Sequence, residues 1–443
     1  MDTPICDFAR SYAVSGAMRL HMPGHKGFGP LGVEALDITE IPGADSLYEA
    51  DGIIARSEDN ASALFGCKTF YSTEGSSLCI RAMLYLALLH ARKCGRRPLI
   101  AAGRNAHKTF LSAAALLDLD LCWLLPEADS SYLACRIDPR ALERVLEAEK
   151  PAAVYVTSPD YLGNVADIAA LSTICRRHDA LLLVDNAHGA YLRFLPESHH
   201  PIDLGADACC DSAHKTLPVL TGGAYLHLSP RAPQLYFDQA RNALALFGST
   251  SPSYLIMQSL DAANPALAQD FPGQLAAFVP TVAELKKRLQ TQGHQLCGNE
   301  PLKLTLRTKA WGYTGQEFAG LLMDQNIVVE FADPDFVVMM LSPFNGESGI
   351  SELEAALAGI PRRPAIEIAP PPFRAAERVM SVREACFSPS ETLPVETCFG
   401  RILAAASVGC PPAVPILICG ERIDEHAAEC FRYYGIDRCS VVR

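Results

Sequence analysis

The chain has 443 residues, 49% of them hydrophobic, which is enough for a large buried core divided among two or three domains. Fifty acidic and 38 basic residues give a formal net charge of -12, which argues against nucleic acid as a partner. No stretch approaches 20 uninterrupted apolar residues, and the first residues lack a basic segment followed by an apolar one, so we expect neither a membrane span nor secretion. Sixteen cysteines without a Cys-x-x-Cys pair indicate reduced thiols and a cytoplasmic protein.

In chain order, composition divides the sequence into four segments. Residues 1–45 are rich in glycine and proline and predict an N-terminal arm that packs on other parts of an assembly. Residues 46–260 alternate short apolar runs with helical stretches, which predicts a large α/β domain with a mostly parallel sheet. Residues 261–364 predict a smaller α/β domain. Residues 365–443 predict a C-terminal domain that begins with a linker stiffened by three consecutive prolines.

Short apolar runs mark the strands of both α/β domains. In the large domain the predicted strands are Leu99–Ala102, Leu119–Leu124, Ala152–Thr157, Leu181–Asp185 and Ala224–Leu228. The adjacent Cys209 and Cys210 indicate one more buried strand, because free cysteine packs as a small apolar residue. In the smaller domain we expect a helix and three strands, at Gln316–Gln325 and at Leu302–Leu306, Val328–Phe331 and Phe336–Leu341.

A glycine turn precedes the first long helical pattern. The residues Thr73-Glu-Gly-Ser-Ser77 lead into a segment whose apolar residues at 80, 83, 84, 87 and 88 have helical spacing. Gly75, Ser76 and Ser77 therefore lie at a helix N-terminus, where amide groups and the positive end of the helix dipole suit a phosphate. Ordinary N-caps have the same composition, so the turn alone does not establish an anion site.

The predicted strand Leu181–Asp185 ends in an acid and is followed by small residues and His188. Ligands of open α/β sheets bind beyond the carboxyl ends of the strands, so Asp185 is well placed to meet a cofactor. A carboxylate there would keep a pyridine nitrogen protonated, and His188 would hydrogen-bond the phenolic oxygen of the same ring. A half-buried structural histidine is the alternative for His188.

The segment Ser212-Ala-His-Lys215 places one lysine between hydrogen-bonding side chains and the glycine pair Gly222 and Gly223. A lysine that forms a Schiff base with pyridoxal phosphate needs such neighbours, because the cofactor brings a phosphate dianion to be hydrogen-bonded. A solvated lysine on a surface loop is the alternative for this string taken alone. The order of glycine turn, strand-end acid and lysine loop favours the cofactor.

One pair of histidines has a spacing that can bind a metal. His21 and His25 are four residues apart, which on a helix would direct both rings the same way and suit zinc. Pro23 and Gly24 lie between them and disfavour a regular helix, so no metal site is expected.

Over nearly its whole length the chain resembles the Orn/Lys/Arg decarboxylases, pyridoxal-phosphate enzymes with the fold of aspartate aminotransferase, known as fold type I. The resemblance is carried by Leu20-His-Met-Pro-Gly-His-Lys-Gly27, Arg104-Asn-Ala-His-Lys108, Asp185-Asn-Ala-His-Gly189, Ser212-Ala-His-Lys-Thr-Leu-Pro218, Ser249-Thr-Ser-Pro-Ser-Tyr254 and Gly420-Glu421. It implies a seven-stranded sheet, a C-terminal domain of the decarboxylase type and a short form without the receiver-like domain that long members carry in front.

The resemblance also implies roles for single residues. Lys215 would bind the aldehyde of pyridoxal 5'-phosphate, Asp185 would pair with the pyridine nitrogen, and His107 would stack on the ring. With His188, these are the expected catalytic residues. The phosphate would be held by Gly75, Ser76, Ser77, Ser212, His214 and, from the partner subunit of a homodimer, Thr250. The partner's contribution makes a homodimer the minimum functional unit.

Three positions depart from the commoner family pattern. Glu74 stands in the glycine turn where many relatives have asparagine, and an acid there is unfavourable to a phosphate unless its side chain points away. The segment at Cys410-Pro-Pro lacks the usual aromatic before the prolines, and Cys419 stands where a proline usually precedes Gly-Glu. Glu421 would be a catalytic acid, a clamp for a distal cationic group or a surface carboxylate.

The reaction implied by the family is decarboxylation of a basic amino acid to an amine or polyamine precursor, with arginine favoured over lysine and ornithine. Lys215 and His188 are the candidates for the acid that protonates the α carbon. Because a fold does not fix which bond breaks, transamination or elimination on the same cofactor is the alternative reaction. A binding protein that kept the fold without catalysis is the alternative from another class.

Overall fold

The computed structural model describes residues 1–126, 132–405, 407–410 and 414–443, with side chains omitted for 407–410 and 414. Within these residues the α-helices are α1 Pro4–Ala13, α2 Ile53–Phe65, α3 Gly75–Lys93, α4 Lys108–Leu117, α5 Pro139–Glu149, α6 Ile168–Arg177, α7 Ala213–Thr216, α8 Gln234–Phe247, α9 Tyr254–Ala268, α10 Phe271–Thr291, α11 Gly315–Met323, α12 Gly346–Gly359, α13 Val382–Phe387 and α14 Glu425–Tyr433. Short 3-10 helices cover Leu47–Glu49, Ala190–Phe194, Thr308–Trp311, Pro343–Asn345 and Val395–Thr397.

The strands of the same residues are β1 Lys68–Ser72, β2 Leu99–Gly103, β3 Asp120–Leu124, β4 Ala153–Thr157, β5 Leu181–Asp185, β6 Ala208–Asp211, β7 Ala224–Leu228, β8 Leu296–Cys297, β9 Lys303–Arg307, β10 Phe331–Ala332, β11 Phe336–Met340, β12 Ser390–Pro394, β13 Ser407–Cys410, β14 Val414–Ile418 and β15 Arg438–Val442. The main sheet has seven strands in the order β1-β7-β6-β5-β4-β2-β3. The pairs β2/β3 and β5/β6 are parallel, and β7 is antiparallel to both β1 and β6. The prediction of an α/β fold with a mostly parallel seven-stranded sheet is confirmed.

The chain forms two compact units. The first comprises Met1–Pro98, Ala152–Val154 and Ile168–Gly273, and the second Leu99–Pro151, Tyr155–Asp167 and Gln274–Arg443. These divisions differ from the four predicted domains, which remain a prediction.

In the first unit, α3 carries apolar residues on several faces. Leu78, Ala82, Met83 and Leu86 are all buried, so the helix is covered on more than one side. The helix α1 lies within the predicted N-terminal arm and is held by Asp261, whose Oδ2 accepts hydrogen bonds from the amides of two residues in its first turn. The strands β5 and β6 belong to the same unit.

The second unit contains the four-stranded antiparallel sheet β10-β11-β9-β8. A hydrophobic cluster joins this sheet to the C-terminal elements through Phe336, Val338, Ile416 and Phe431. The helix α11 starts with a capping box, in which Thr314 accepts from the amide of Glu317 and the Glu317 carboxylate accepts from that of Thr314.

Most predicted strands lie within a residue or two of the observed ones, but the run Val328–Phe331 was assigned wrongly. The observed strand β10 is Phe331–Ala332, and the Val328 residue is 85% exposed. Ladder partners exist for Phe331 and Ala332 on β11, so pairing rather than β-branched composition decides where the strand begins. The predicted helix Gln316–Gln325 is α11, which ends at Met323.

Across the described residues, no helix combines the length and the apolar character needed to cross a bilayer.

Candidate active site

The site begins at the carboxyl end of β5, where an aliphatic run delivers a buried acid. Asp185 is 3% exposed and is the register partner of Cys210 on β6. Its Oδ1 accepts hydrogen bonds from the amide of Ala187 at 3.2 Å and from the Cys210 thiol at 3.7 Å. The predicted strand-end acid is thus held in a defined orientation.

Lys215 lies in the short helix α7 and contacts His188, which follows Asp185 by three residues. Its Nζ is 2.9 Å from His188 Nε2. The histidine is buried, whereas Lys215 is exposed and therefore accessible to a small molecule. Two of the predicted catalytic residues are brought together by this contact, although sequence alone did not predict that they touch.

The predicted phosphate residues meet at the start of α3. Ser212 Oγ donates to Ser76 Oγ at 2.9 Å. Gly75 has φ +69°, a left-handed conformation that favours glycine, and a side chain there would meet the ring of His214 at 4.0 Å. The Gly75 amide donates to the carbonyl of Gly222 at 2.7 Å, so this amide is already used within the protein.

The remaining members of the predicted phosphate site adjoin these groups. His214 Nδ1 donates to the carbonyl of Gly223 at 3.0 Å, which fixes the ring. Ser77 follows Ser76 in the first turn of α3. Two hydroxyls and a helix N-terminus in one place are donors that suit a phosphate.

Glu74 does not present its carboxylate to this turn. Its Oε1 accepts a hydrogen bond from the Ser249 amide at 2.6 Å, which ties the loop after α8 to the start of α3. Thr250, the next residue, is exposed. The acid that is unusual beside a phosphate therefore has a partner of its own, and it anchors the loop that carries Thr250.

His107 belongs to the second unit, where it is the N-cap residue of α4. Its Nδ1 accepts from the Thr109 amide at 3.2 Å, so a neutral ring carries its proton on Nε2. The ring is half-buried. Its stacking on a cofactor remains a prediction.

Sequence reasoning missed a buried network directly before the lysine loop. Asp211 Oδ1 accepts from Asn186 Nδ2 at 2.7 Å, and its Oδ2 lies 3.0 Å from His200 Nε2 and 3.2 Å from His227 Nε2. A signal was available at His227, because a histidine within the apolar strand β7 needs a buried partner. The Cys209 thiol lies near the same histidine pair, 3.9 Å from His200 Nε2.

Glu421 is not a surface carboxylate, since it is 4% exposed. Its Oε2 accepts from Arg104 Nη2 and from the Ile418 amide, both at 3.0 Å. Arg104 also donates to the carbonyls of Pro415 and Ile416. Burial raises the pKa of Glu421, and Arg104 opposes this shift. Residues 411–413 and the side chain of Cys410, where the predicted departure from the family pattern lies, are outside the described part of the structure.

The residues of the first unit fit pyridoxal phosphate. An accessible lysine amine, an oriented buried acid and a hydroxyl pair at a helix N-terminus are the donor set that its aldehyde, ring nitrogen and phosphate require. His21 contacts Tyr12 through Nε2, and His25 Nε2 lies 3.1 Å from Asp37 Oδ2.

Two family models match the chain. The one described as Orn/Lys/Arg decarboxylase, major domain, matches residues 3–297, and the one described as Orn/Lys/Arg decarboxylase, C-terminal domain, matches residues 369–438. The arginine decarboxylase of Bacillus subtilis (strain 168) is 29% identical over 464 residues, which cover 96% of this chain and 92% of that protein. The lysine decarboxylase LdcA of Pseudomonas aeruginosa is 24% identical over 265 residues, 54% of this chain and 34% of that protein.

Solved structures show the same fold. The Francisella novicida lysine decarboxylase LdcF aligns with a TM-score of 0.81 at 15% identity, over 100% of this chain and 81% of that one. A cysteine desulfurase from Thermococcus onnurineus NA1 aligns with a TM-score of 0.56 at 15% identity, over 81% of this chain and 91% of that one. The predicted type I fold is thereby confirmed.

Proposed function

The chain belongs to the Orn/Lys/Arg decarboxylase family and is a pyridoxal-phosphate-dependent decarboxylase of basic amino acids, and we propose that its substrate is arginine. The observation that carries the proposed site is the contact between Lys215 Nζ and His188 Nε2 at 2.9 Å, beside the strand-end acid Asp185. Relatives named arginine decarboxylase from three Bacillus species are 28–29% identical over at least 95% of this chain, which favours arginine over lysine and ornithine.

We propose a residue for each part of the cofactor. When bound, pyridoxal phosphate supplies a protonated ring that takes up the electron pair released as the substrate carboxylate leaves as carbon dioxide. Lys215 would hold the aldehyde carbon, and the carboxylate of Asp185 would keep the ring nitrogen protonated. The hydroxyls of Ser76 and Ser212 would hold the phosphate, with Gly75, Ser77 and His214 beside them, and His107 would cover the ring face.

Proton delivery is assigned to Lys215 and His188. A lysine ammonium has no lone pair, so while Lys215 is charged its Nζ donates and His188 Nε2 accepts. The ring proton of His188 is then on Nδ1. After carbon dioxide has left, Lys215 Nζ can give a proton to the α carbon directly. It can also pass the proton across the short contact to His188 Nε2, from which the α carbon then receives it.

We also propose a cytoplasmic homodimer whose partner supplies Thr250 to the phosphate. The bond from the Ser249 amide to Glu74 of the same chain fixes this loop and leaves Thr250 exposed, so Thr250 is accessible to a second subunit. All fifteen cysteines whose side chains the structure describes are free thiols, as suits a reducing compartment.

The test is to incubate the pyridoxal-phosphate-loaded protein separately with arginine, lysine and ornithine and to measure carbon dioxide, agmatine, cadaverine and putrescine. We expect agmatine and carbon dioxide in equal amounts from arginine, and no product from the variant Lys215→Ala. Faster formation of cadaverine or putrescine would contradict arginine as the substrate but not the decarboxylase activity. A keto acid without carbon dioxide would contradict decarboxylation itself.

A further inference from the structure

Asp211, His200 and His227 form a charged cluster that solvent does not reach, since all three residues are 0% exposed. Both histidines place Nε2 within 3.2 Å of Asp211 Oδ2. The other oxygen, Oδ1, accepts from Asn186 Nδ2 at 2.7 Å. A buried carboxylate is costly unless such directed donors surround it, so the four side chains fix one another's positions.

The cluster is joined to the candidate site through two consecutive residue pairs. On the parallel strands β5 and β6, the Cys210 thiol bonds Asp185, and one position further along each strand Asn186 bonds Asp211. Successive side chains of a strand point to opposite faces. The end of β5 is therefore bonded to β6 on both faces of the sheet. Asp185, the proposed cofactor acid, lies on one face, and the cluster lies on the other.

Asp211 is also the last residue of β6 before the lysine loop. Asp211 is followed directly by Ser212, whose Oγ donates to Ser76 Oγ at the phosphate turn. The Asn186 amide donates to the Cys210 carbonyl at 3.0 Å, which adds a backbone bond at the same level. A displacement of Asp211 would therefore move both Asp185 and the Ser212 hydroxyl that bonds Ser76.

Within the cluster, Asp211 is the group that carries the charge. Burial alone would raise the pKa of this carboxyl, but its electrostatic interactions and hydrogen bonds with His200 and His227 hold it well below its ordinary value. His200 Nδ1 is buried without a hydrogen-bond partner among the described residues, so its proton resides on Nε2, which donates to Asp211. Burial lowers the pKa of His227 more than Asp211 raises it.

We propose that Asp211 is a positioning residue for the cofactor, acting through Asn186 on Asp185 and through the backbone on Ser212. It touches neither substrate nor cofactor, and its effect is to keep the ring-nitrogen acid and the phosphate hydroxyls in their mutual arrangement. The inference rests on the proposed function, because it presumes that pyridoxal phosphate binds at Lys215.

The test compares three single variants of the full chain, and the double variant Asp211→Asn/Asn186→Ala, with the wild type. Asp211→Asn removes the charge, Asn186→Ala removes the link to β5 while leaving both histidine bonds, and Asp207→Asn is the matched control. Asp207 joins the opposite ends of the same strands, since its Oδ2 accepts from the Leu182 amide at 2.8 Å. Measured quantities are the dissociation constant of pyridoxal phosphate, the visible band of the bound cofactor with its pH titration midpoint, and the melting temperature without cofactor.

We expect Asp211→Asn and Asn186→Ala each to weaken pyridoxal phosphate binding by on the order of tenfold, and the double variant to be no weaker than either alone. The titration midpoint should shift in both, while Asp207→Asn lowers the melting temperature and leaves the dissociation constant and midpoint unchanged. If Asp211→Asn does not fold, Asn186→Ala alone decides the outcome.

Unchanged binding in folded Asn186→Ala, or an equal loss in Asp207→Asn, would overturn the positioning role. The first result would show that the link is not needed, and the second that any weakening of these strands has the same effect. A wild-type protein that develops no visible band with pyridoxal phosphate would reject the cofactor assignment and this inference with it. Normal wild-type binding with unaffected variants would reject the inference alone.

Discussion

Asp211 in the first unit and Glu421 in the second are both buried carboxylates, but their surroundings differ. Asp211 accepts hydrogen bonds on both oxygens from three side chains, whereas Glu421 accepts two on Oε2, from Arg104 and a backbone amide. Burial alone would raise the pKa of both. At Asp211 the two histidines outweigh burial, and at Glu421 burial outweighs Arg104.

The difference shows that the number and placement of donors, and not simply the presence of a positive partner, decide in which direction the pKa of a buried acid shifts. A carboxylate surrounded on both oxygens is a fixed point to which neighbouring strands can be attached. Glu421 receives one hydrogen bond from a guanidinium and one from a backbone amide, so only the amide bond is left when Arg104 is removed. Arg104 and Asp211 are therefore the places where the two units should respond differently to substitution.

The largest effect is expected at Arg104. The variant Arg104→Met strips Glu421 of its charged partner and leaves the carbonyls of Pro415 and Ile416 without its donors. Breaking a buried pair on one side typically costs roughly 3–5 kcal/mol of unfolding free energy, which urea titration would measure. The loss should shrink towards acidic pH, because a protonated Glu421 no longer carries a buried charge.

The control for Arg104 is the double variant Arg104→Met/Glu421→Met. It removes both charges and should recover a large part of the single variant's loss, because apolar residues of similar volume replace buried pairs well. If the double variant is as unstable as the single one, the carbonyl bonds of Arg104 and not its pairing with Glu421 hold this region.

A third buried acid, Glu58, extends the comparison to pH. Burial raises its pKa to about 7 from an ordinary 4.5, against the attraction of Arg241, its partner at 2.6 Å. The folded state binds this proton more tightly than the unfolded chain, so the contribution favours folding at low pH and is lost as pH rises from 4.5 through about 7. Relative to the wild type, Glu58→Gln should remove this loss, roughly 3 kcal/mol over that window.

The control for Glu58 is Glu354→Gln, whose carboxylate lies on α12 and is partly exposed. A hydrogen bond from Arg288 lowers the pKa of Glu354, so its contribution is present above pH 4.5 and is lost only below it. Unfolding free energies measured between pH 5 and 7 should therefore keep the wild-type slope in this variant. Identical slopes for wild type and Glu58→Gln would contradict the raised pKa of Glu58.

Much of the candidate site could be predicted from local patterns. Asp185 was identified because an aliphatic run that ends in an acid is visible in the sequence, and Lys215 because its neighbours lie within a few positions. The glycine turn before α3 was visible for the same reason. Their contacts with one another, such as Lys215 with His188, depend on where separate strands end, which a local pattern does not contain.

Features that join distant segments could not be predicted in this way. The cluster around Asp211 uses residues 186, 200, 211 and 227, so it exists only once β5, β6 and β7 are paired. The strand β1 was missed because Lys68–Ser72 is short, begins with a charge and takes its pairing from β7 far along the chain. Ile327 and Val328 have strand propensity but lack a ladder position, so tertiary pairing overrides composition.

The smallest expected effect is at His227. This variant tests most directly the difference between Asp211, which has three side-chain donors, and Glu421, which has one. His227→Phe removes one of three side-chain donors to Asp211 while keeping a ring against Phe65, whose centroid lies 4.3 Å away. Because His200 and Asn186 still serve the carboxylate, the loss of unfolding free energy should be about 1–2 kcal/mol, well below that of Arg104→Met. His294→Phe is the matched control, since that ring stacks on Trp311 at 4.0 Å and should cost less. A loss at His227 as large as that at Arg104 would mean that the donors of Asp211 act as one unit, so that removing any of them leaves the buried charge unsupported.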